Sequence, residues 1–217
     1  MKRLVILISG RGSNMTAILD AVDAGKISGQ VVSVISNRPD AAGVAIASAR
    51  GIATLSIDHR AHPNRDAFED ALTTAIDAQS PDLIVLAGFM RILSGAFVDR
   101  YTGRMINIHP SLLPSYPGLD THKRALADGV RIHGCTVHFV TDDVDHGPII
   151  AQASVPVRSD DNAKTLAARV LEAEHRVLVA SVGWFCAGRL VIDGATVRVK
   201  NEHADMPPQI VPAPDVP

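Results

Sequence analysis

Asn107 and His109 stand two positions apart in the apolar run Met105-Ile-Asn-Ile-His-Pro-Ser111. On a strand, that spacing projects both side chains from one face and sets a hydrogen-bond donor beside a titratable imidazole. Pro110 has no N–H to offer a neighbouring strand. His109 is therefore predicted to sit where the strand opens into a loop, the usual place for chemistry in an α/β protein. The segment Ser111-Leu-Leu-Pro-Ser-Tyr-Pro-Gly118 is expected to be stiff, because Pro114 and Pro117 restrict its backbone. Taken alone, the pair also fits side chains that only satisfy backbone groups at a strand end. The loop Thr141-Asp-Asp-Val-Asp-His-Gly-Pro148 supplies three carboxylates, Asp142, Asp143 and Asp145. Any of them within about 4 to 6 Å of His109 would favour the imidazolium. An acidic, solvated loop built on Asx-turns accounts for the same residues.

Ser9-Gly-Arg-Gly-Ser-Asn14 lies between a predicted strand and a predicted helix, where backbone N–H groups at a helix N-terminus cradle phosphate. It is not a dinucleotide fingerprint, since Met15 stands at the third glycine position and Asn37, not an acid, ends the second strand. No Gly-Lys-Ser/Thr follows, which excludes a Walker A loop. A single-phosphate nest and a tight turn capped by Ser13 or Asn14 both remain. His133, Cys135 and His138 resemble a metal set. On one strand, however, the odd step from Cys135 to His138 puts those side chains on opposite faces, so the three do not converge on one ion. Ser111 beside His109 suggests a hydrolytic dyad, but the Gly-x-Ser-x-Gly elbow is missing.

Short runs rich in Val, Ile and Leu alternate with Ala-rich amphipathic stretches, the pattern of βα units around a mainly parallel sheet. Strands are predicted from Leu4 to Ile8, Val31 to Ile35, Ala53 to Ile57, Leu83 to Ala87 and Arg104 to Ile108. Helices are predicted from Ser13 to Ala24, Ala41 to Arg50 and Arg65 to Gln79. The runs Cys135 to Val140 and Ile149 to Val157 are separated by a loop too short for a crossover helix, so they should pair antiparallel. A long helix, Ala163 to Ala187, and a short strand pair flanked by Gly188 and Gly194 follow. The fold class is thus α/β: a single domain with a mainly parallel twisted sheet flanked by helices, Rossmann-like in its N-terminal half and with antiparallel strands in its C-terminal half. Residues 1–200 form that domain, and residues 201–217 form a Pro-rich tail.

The 217 residues, 47% apolar and 20% charged, are enough to bury a full core. A net charge of −2 offers no basic footprint for nucleic acid or an anionic membrane surface. No apolar run approaches the roughly 20 residues of a bilayer span. Cys135 and Cys186 are the only cysteines, and Met1-Lys-Arg leads directly into a strand, so a reduced, cytoplasmic protein is expected.

Four segments carry a resemblance: Ile8-Ser-Gly-Arg-Gly-Ser-Asn14, Ala87-Gly-Phe-Met-Arg-Ile-Leu93, Asn107-Ile-His-Pro-Ser-Leu-Leu-Pro114 and His138-Phe-Val-Thr-Asp-Asp-Val-Asp-His-Gly-Pro148. In order and spacing they resemble the N10-formyltetrahydrofolate-dependent formyltransferase family over about residues 1 to 200. The Gly-x-Gly-Ser-Asn loop is similar to that of the members acting on glycinamide ribonucleotide. The resemblance implies the formyltransferase fold, with residues 1–100 as a phosphate-binding half and 101–200 as a formyl-folate and catalytic half. It implies transfer of a formyl group from 10-formyltetrahydrofolate, as co-substrate and without a metal, to the amine of N1-(5-phosphoribosyl)glycinamide in de novo purine biosynthesis, by a monomer or homodimer. Gly12, Ser13 and Asn14 would hold the acceptor's 5′-phosphate and Glu174 its ribose hydroxyls. Met90, Arg91, Ile92 and Leu93 would line the pteridine pocket, with Arg65 near the benzoyl-glutamate end. Asn107, His109 and Asp145 would form the catalytic trio, Asn107 also touching the formyl-folate. A formyltetrahydrofolate hydrolase using the same trio, or a non-catalytic folate-binding α/β module, are the alternatives.

Overall fold

Strands buried on both faces read as continuous apolar runs rather than alternating ones. In the computed structural model, which describes residues 1–201, β1 (Lys2–Ile8), β2 (Gly29–Ser36), β3 (Thr54–Ser56), β4 (Leu83–Leu86) and β5 (Met105–His109) pair in parallel. β6 (Ile132–Phe139) and β7 (Ile149–Pro156) then join antiparallel, and β8 (Leu190–Asp193) and β9 (Thr196–Val199) close the sheet. Among the described residues the order is β3-β2-β1-β4-β5-β6-β7-β9-β8. The helices are α1 (Ser13–Asp23), α2 (Ala42–Ala49), α3 (Arg65–Asp77), α4 (Gly95–Arg100), α5 (Thr121–Ala127) and α6 (Ala163–Cys186). The expected Pro-rich tail, residues 201–217, lies outside the described residues from 202 onward.

Alternate residues of β1 feed two cores. Leu4, Ile6 and Ile8 pack with Ile18 and Leu19 of α1 and Val170 and Leu178 of α6. Val5 and Leu7 pack with Phe68, Leu72 and Ile76 of α3 and Phe97 of α4. Each such fully buried side chain stabilises the fold by about 1.5–3 kcal/mol. β1 is followed by β2 on one side while β4 lies on the other, so a crevice opens at the C-terminal ends of β1 and β4.

Three local expectations change. β5 ends at His109, which is still paired with Thr136, so Pro110 is the first residue outside the ladder. β6 starts at Ile132 rather than Cys135. The helices α4 and α5 were not expected, because six or seven residues are too few to establish a 3.6-residue period. α4 is started by Ser94, whose Oγ accepts from the Phe97 N–H.

Candidate active site

At the end of β1, Gly12 occupies the N-cap position of α1 with φ 75° and ψ 25°. Glycine adopts this left-handed conformation without steric penalty. Ser13 and Asn14 are therefore helical, and neither is the cap, which removes the capped-turn reading of this loop. The loop is drawn against α2 by the Gly43 N–H, which donates to Gly10 O at 3.0 Å. A Cβ on Gly12 would stand 2.9 Å from Gly43 Cα, so glycine is needed for packing between helices as well as for backbone angle. The loop opens on a cavity of about 420 Å³ lined also by Asn37, Arg38, Met90, Arg91, Ile108 and Glu174. The first-turn N–H groups of a helix have no acceptor within it, and together with the dipole they suit an anion.

Asn14 Nδ2 donates to Glu174 Oε2 at 2.7 Å, which ties α1 to α6. Burial pushes the Glu174 carboxyl up, and the bond from Asn14 opposes that shift. Asn14 Oδ1 is buried with no partner among the described residues, an acceptor that a ligand hydroxyl would satisfy. Ser9 Oγ donates to Asn37 Oδ1 at 2.6 Å and accepts from the Met90 N–H at 2.7 Å. That hydroxyl links the Gly12 loop to the segment Ala87–Leu93. Within this segment Met90 and Arg91 line the cavity, whereas Ile92 is largely exposed and Leu93 packs against the core beneath α3. Arg65 is exposed at the start of α3 and does not line this cavity. Ser94, which follows the segment, gives both its N–H and its hydroxyl to the buried Glu69 carboxylate.

Asn107 and His109 lie on one face of β5, opposite His138 and Thr136 of β6. His109 Nε2 is 2.9 Å from Tyr116 O, which only accepts, so this nitrogen carries a proton. His109 Nδ1 faces Asp145 Oδ2 at 3.4 Å, with side-chain exposures of 7% and 10% that leave little water between them. Both ring nitrogens thus meet acceptors, an arrangement that suits the imidazolium. Asp145 Oδ2 also accepts from the Gly118 N–H at 2.8 Å, so one carboxylate holds two loops. Its backbone sits at φ 59°, unusual for a residue with a Cβ. Asp142 packs instead against Gly95, and the Asp143 carbonyl accepts from the His146 N–H. Of the three acids left open by the sequence, Asp145 is the one that reaches His109.

From sequence His138 reads only as a candidate metal ligand, and the structure adds it to this site. Its Nδ1 lies 2.9 Å from Phe139 O and its Nε2 3.3 Å from Asn107 Nδ2. Burial pushes its imidazole below the ordinary value, outweighing the Phe139 carbonyl and Asp145. The approach of Nε2 to Asp145 Oδ1 at 3.8 Å is therefore not an ion pair. The signal that could have found His138 is cross-strand register, which pairs it with Asn107. On the other face of β6, His133 meets His122 Nδ1 at 3.2 Å and the ring of Tyr116, while Cys135 is in the core with α6. Among the described residues no group of three His, Cys, Asp or Glu is arranged to hold a metal ion. Ser111 Oγ donates to the carbonyls of Ser115 at 2.6 Å and Tyr116 at 3.2 Å, and the residue is fully buried, which does not suit a nucleophile.

Comparison with known proteins places the chain among one-carbon enzymes of this fold. The profile of a family described as formyl transferase matches residues 2–182. The chain is 48% identical over 206 residues to phosphoribosylglycinamide formyltransferase of Escherichia coli (strain K12), covering 95% of this chain and 96% of that one. Its fold superposes with a TM-score of 0.90 on glycinamide ribonucleotide transformylase 1 of Symbiobacterium toebii, at 47% identity, covering 93% of this chain and 95% of the other. A formyltetrahydrofolate deformylase of Burkholderia mallei is similar at 28% identity and a TM-score of 0.84, with 91% of this chain and 69% of that chain covered.

Proposed function

The chain belongs to the formyl transferase family, and we infer that it transfers a formyl group from 10-formyltetrahydrofolate to the amine of N1-(5-phosphoribosyl)glycinamide, in purine biosynthesis. The acceptor is supported by the likeness to the E. coli enzyme over nearly both full lengths. The observation that carries the chemistry is the contact of His109 with Asp145, with Asn107 on the same face of β5, on the strand end whose Ile108 and Pro110 line the cavity that the Gly12 loop opens on. In this reading Gly12, Ser13 and Asn14 take the 5′-phosphate and Glu174, with the unpartnered Asn14 Oδ1, takes the ribose hydroxyls. Met90 to Leu93 wall the pteridine, and Arg65 meets the distal end of the folate. The two halves of the domain then share the acceptor, since Glu174 comes from the second half and the loop from the first.

The acceptor amine attacks the formyl carbon, a C–N bond forms, and the formyl oxygen becomes anionic. Preorganised donors aimed at that oxygen are usually the largest catalytic contribution. We assign those donors to Asn107 and His109. The Nε2–H that Tyr116 O accepts is the one that turns to the formyl oxygen, so the loop carbonyl and the substrate compete for it. Collapse breaks the bond to N10, and the proton from the attacking amine reaches N10 through the Asp145–His109 pair, directly or through water. No step requires a metal ion.

A spectrophotometric assay with a 10-formyl-folate analogue, with and without glycinamide ribonucleotide, tests this. Turnover that depends on the acceptor is expected. Formate release without any acceptor would instead assign the deformylase reaction, and folate binding without turnover would leave only a binding module.

A further inference from the structure

We propose that His138 is a positioning residue: as the neutral Nδ1–H tautomer it accepts one N–H of Asn107, holding the amide end of that side chain in the site and leaving its second N–H as the donor to the formyl oxygen. The inference rests on the reading of Asn107 as an oxyanion donor and adds what makes it one.

The geometry of the ring leads to this. His138 Nδ1 is 2.9 Å from the carbonyl of Phe139, and a carbonyl only accepts, so the proton is on Nδ1. The side chain is 3% exposed, and burial outweighs the pull of the Asp145 carboxylate 3.8 Å from Nε2, which disfavours a second proton. Nε2 is therefore a bare acceptor. At 3.3 Å it faces the carboxamide of Asn107, and an acceptor can be met only by the N–H₂ end of an amide. The terminal torsion of Asn is broad and roughly two-fold, so nothing intrinsic to Asn107 prevents a flip. Flipped, it would aim a carbonyl oxygen at an oxygen acquiring negative charge. An imidazolium His138 would have the same effect, since its Nε2–H would draw the Asn107 oxygen. The strand register supplies the rest: Asn107 and His138 are directly opposed in the β5–β6 ladder, so the contact is fixed by two strands.

The test is kinetic and spectroscopic, on the full chain. His138→Leu removes the acceptor and is expected to lower kcat by about tenfold to a hundredfold, within the range for an oxyanion donor lost or misdirected. KM for both substrates should stay within about twofold. His138→Gln, whose side-chain oxygen can accept from Asn107, should recover most of the rate. In an Asn107→Ala background, His138→Leu should cost almost nothing more, because residues acting as one unit are not additive. Equal losses in both backgrounds, with Asn107→Ala itself slow, would overturn the proposal alone. A full-rate Asn107→Ala enzyme would overturn the underlying reading of the site and this one with it. Long-range proton–nitrogen NMR on the unaltered protein tests the tautomer without any variant. A bare Nε2 and a protonated Nδ1 at pH 7 are expected, and a protonated Nε2 overturns the proposal.

Discussion

Replacing Asp145 by Asn keeps the size of the side chain and removes its charge, and so isolates what the carboxylate does for His109. Two unit charges 3.4 Å apart, at an effective dielectric near 20, attract by about 5 kcal/mol. Taking both from water offsets much of this attraction, but removing one partner of a buried pair strands the other and typically costs about 3–5 kcal/mol. Part of that cost is recovered, because an Asn oxygen can still accept from the Gly118 N–H that now bonds Asp145 Oδ2 at 2.8 Å. We expect kcat to fall by roughly two to three orders of magnitude, about 2.7–4 kcal/mol in the barrier. KM for each substrate should change little, because Asp145 is assigned to the transition state rather than to binding. The assay is initial-rate kinetics with a 10-formyl-folate analogue at saturating acceptor, with circular dichroism to check the fold. His109→Ala and the double variant should be no slower than the worse single variant by more than a small factor. An Asp145→Asn enzyme with normal kcat, or one whose loss lies entirely in KM, would refute the reasoning. Asp142→Asn is the control, since that carboxylate packs against Gly95 and should leave the rate unchanged.

Gly12→Ala would place a Cβ 2.9 Å from Gly43 Cα at a left-handed φ, costing about 1–2 kcal/mol. Displacing the loop should raise the acceptor KM at least about tenfold, or ~1.4 kcal/mol, with the folate KM unchanged; the opposite pattern would mean the subsites are reversed. Ser111→Ala removes a hydroxyl that donates to two loop carbonyls and should cost about 1 kcal/mol of stability while leaving kcat within about threefold, whereas loss of turnover in folded protein would revive the hydrolytic dyad. His133 is held down to about 4, first by burial and then by His122. Its folded value is below the unfolded one, so unfolding takes up a proton below about pH 6.5. Stability should be retained above that pH and lost as pH falls toward about 4, and denaturation midpoints for His133→Gln should fall less steeply over that window.

The centre of the sheet was legible because β1 from Leu4 and β4 are short unbroken apolar runs, as suits strands buried on both faces. Its ends were less legible. Lys2 and Arg3 extend β1 because Asp82, just before β4 and 79 residues beyond Arg3, accepts from the Lys2 ammonium and the Arg3 N–H, a contact no local pattern announces. The order of strands was likewise out of reach, since β4 passes β1 on the side away from β2 without any mark in the chain.

In the site, what a single strand dictates was readable and what two strands share was not. The two-residue step from Asn107 to His109 fixes their common face by itself. His138 became a neighbour of Asn107 only through the β5–β6 register, and Asp145 was one of three acids until the loop closed. The clue to Asp145 is conformational. Gly147, two residues on, answers a packing need, because a Cβ there would stand 1.8 Å from Phe139 O. Asp145 has no such relief: it carries a full side chain at φ 59°, where Gly would be the locally favoured residue. The Gly118 N–H on Oδ2 helps hold Asp145 in this left-handed conformation, and the same carboxylate oxygen faces His109.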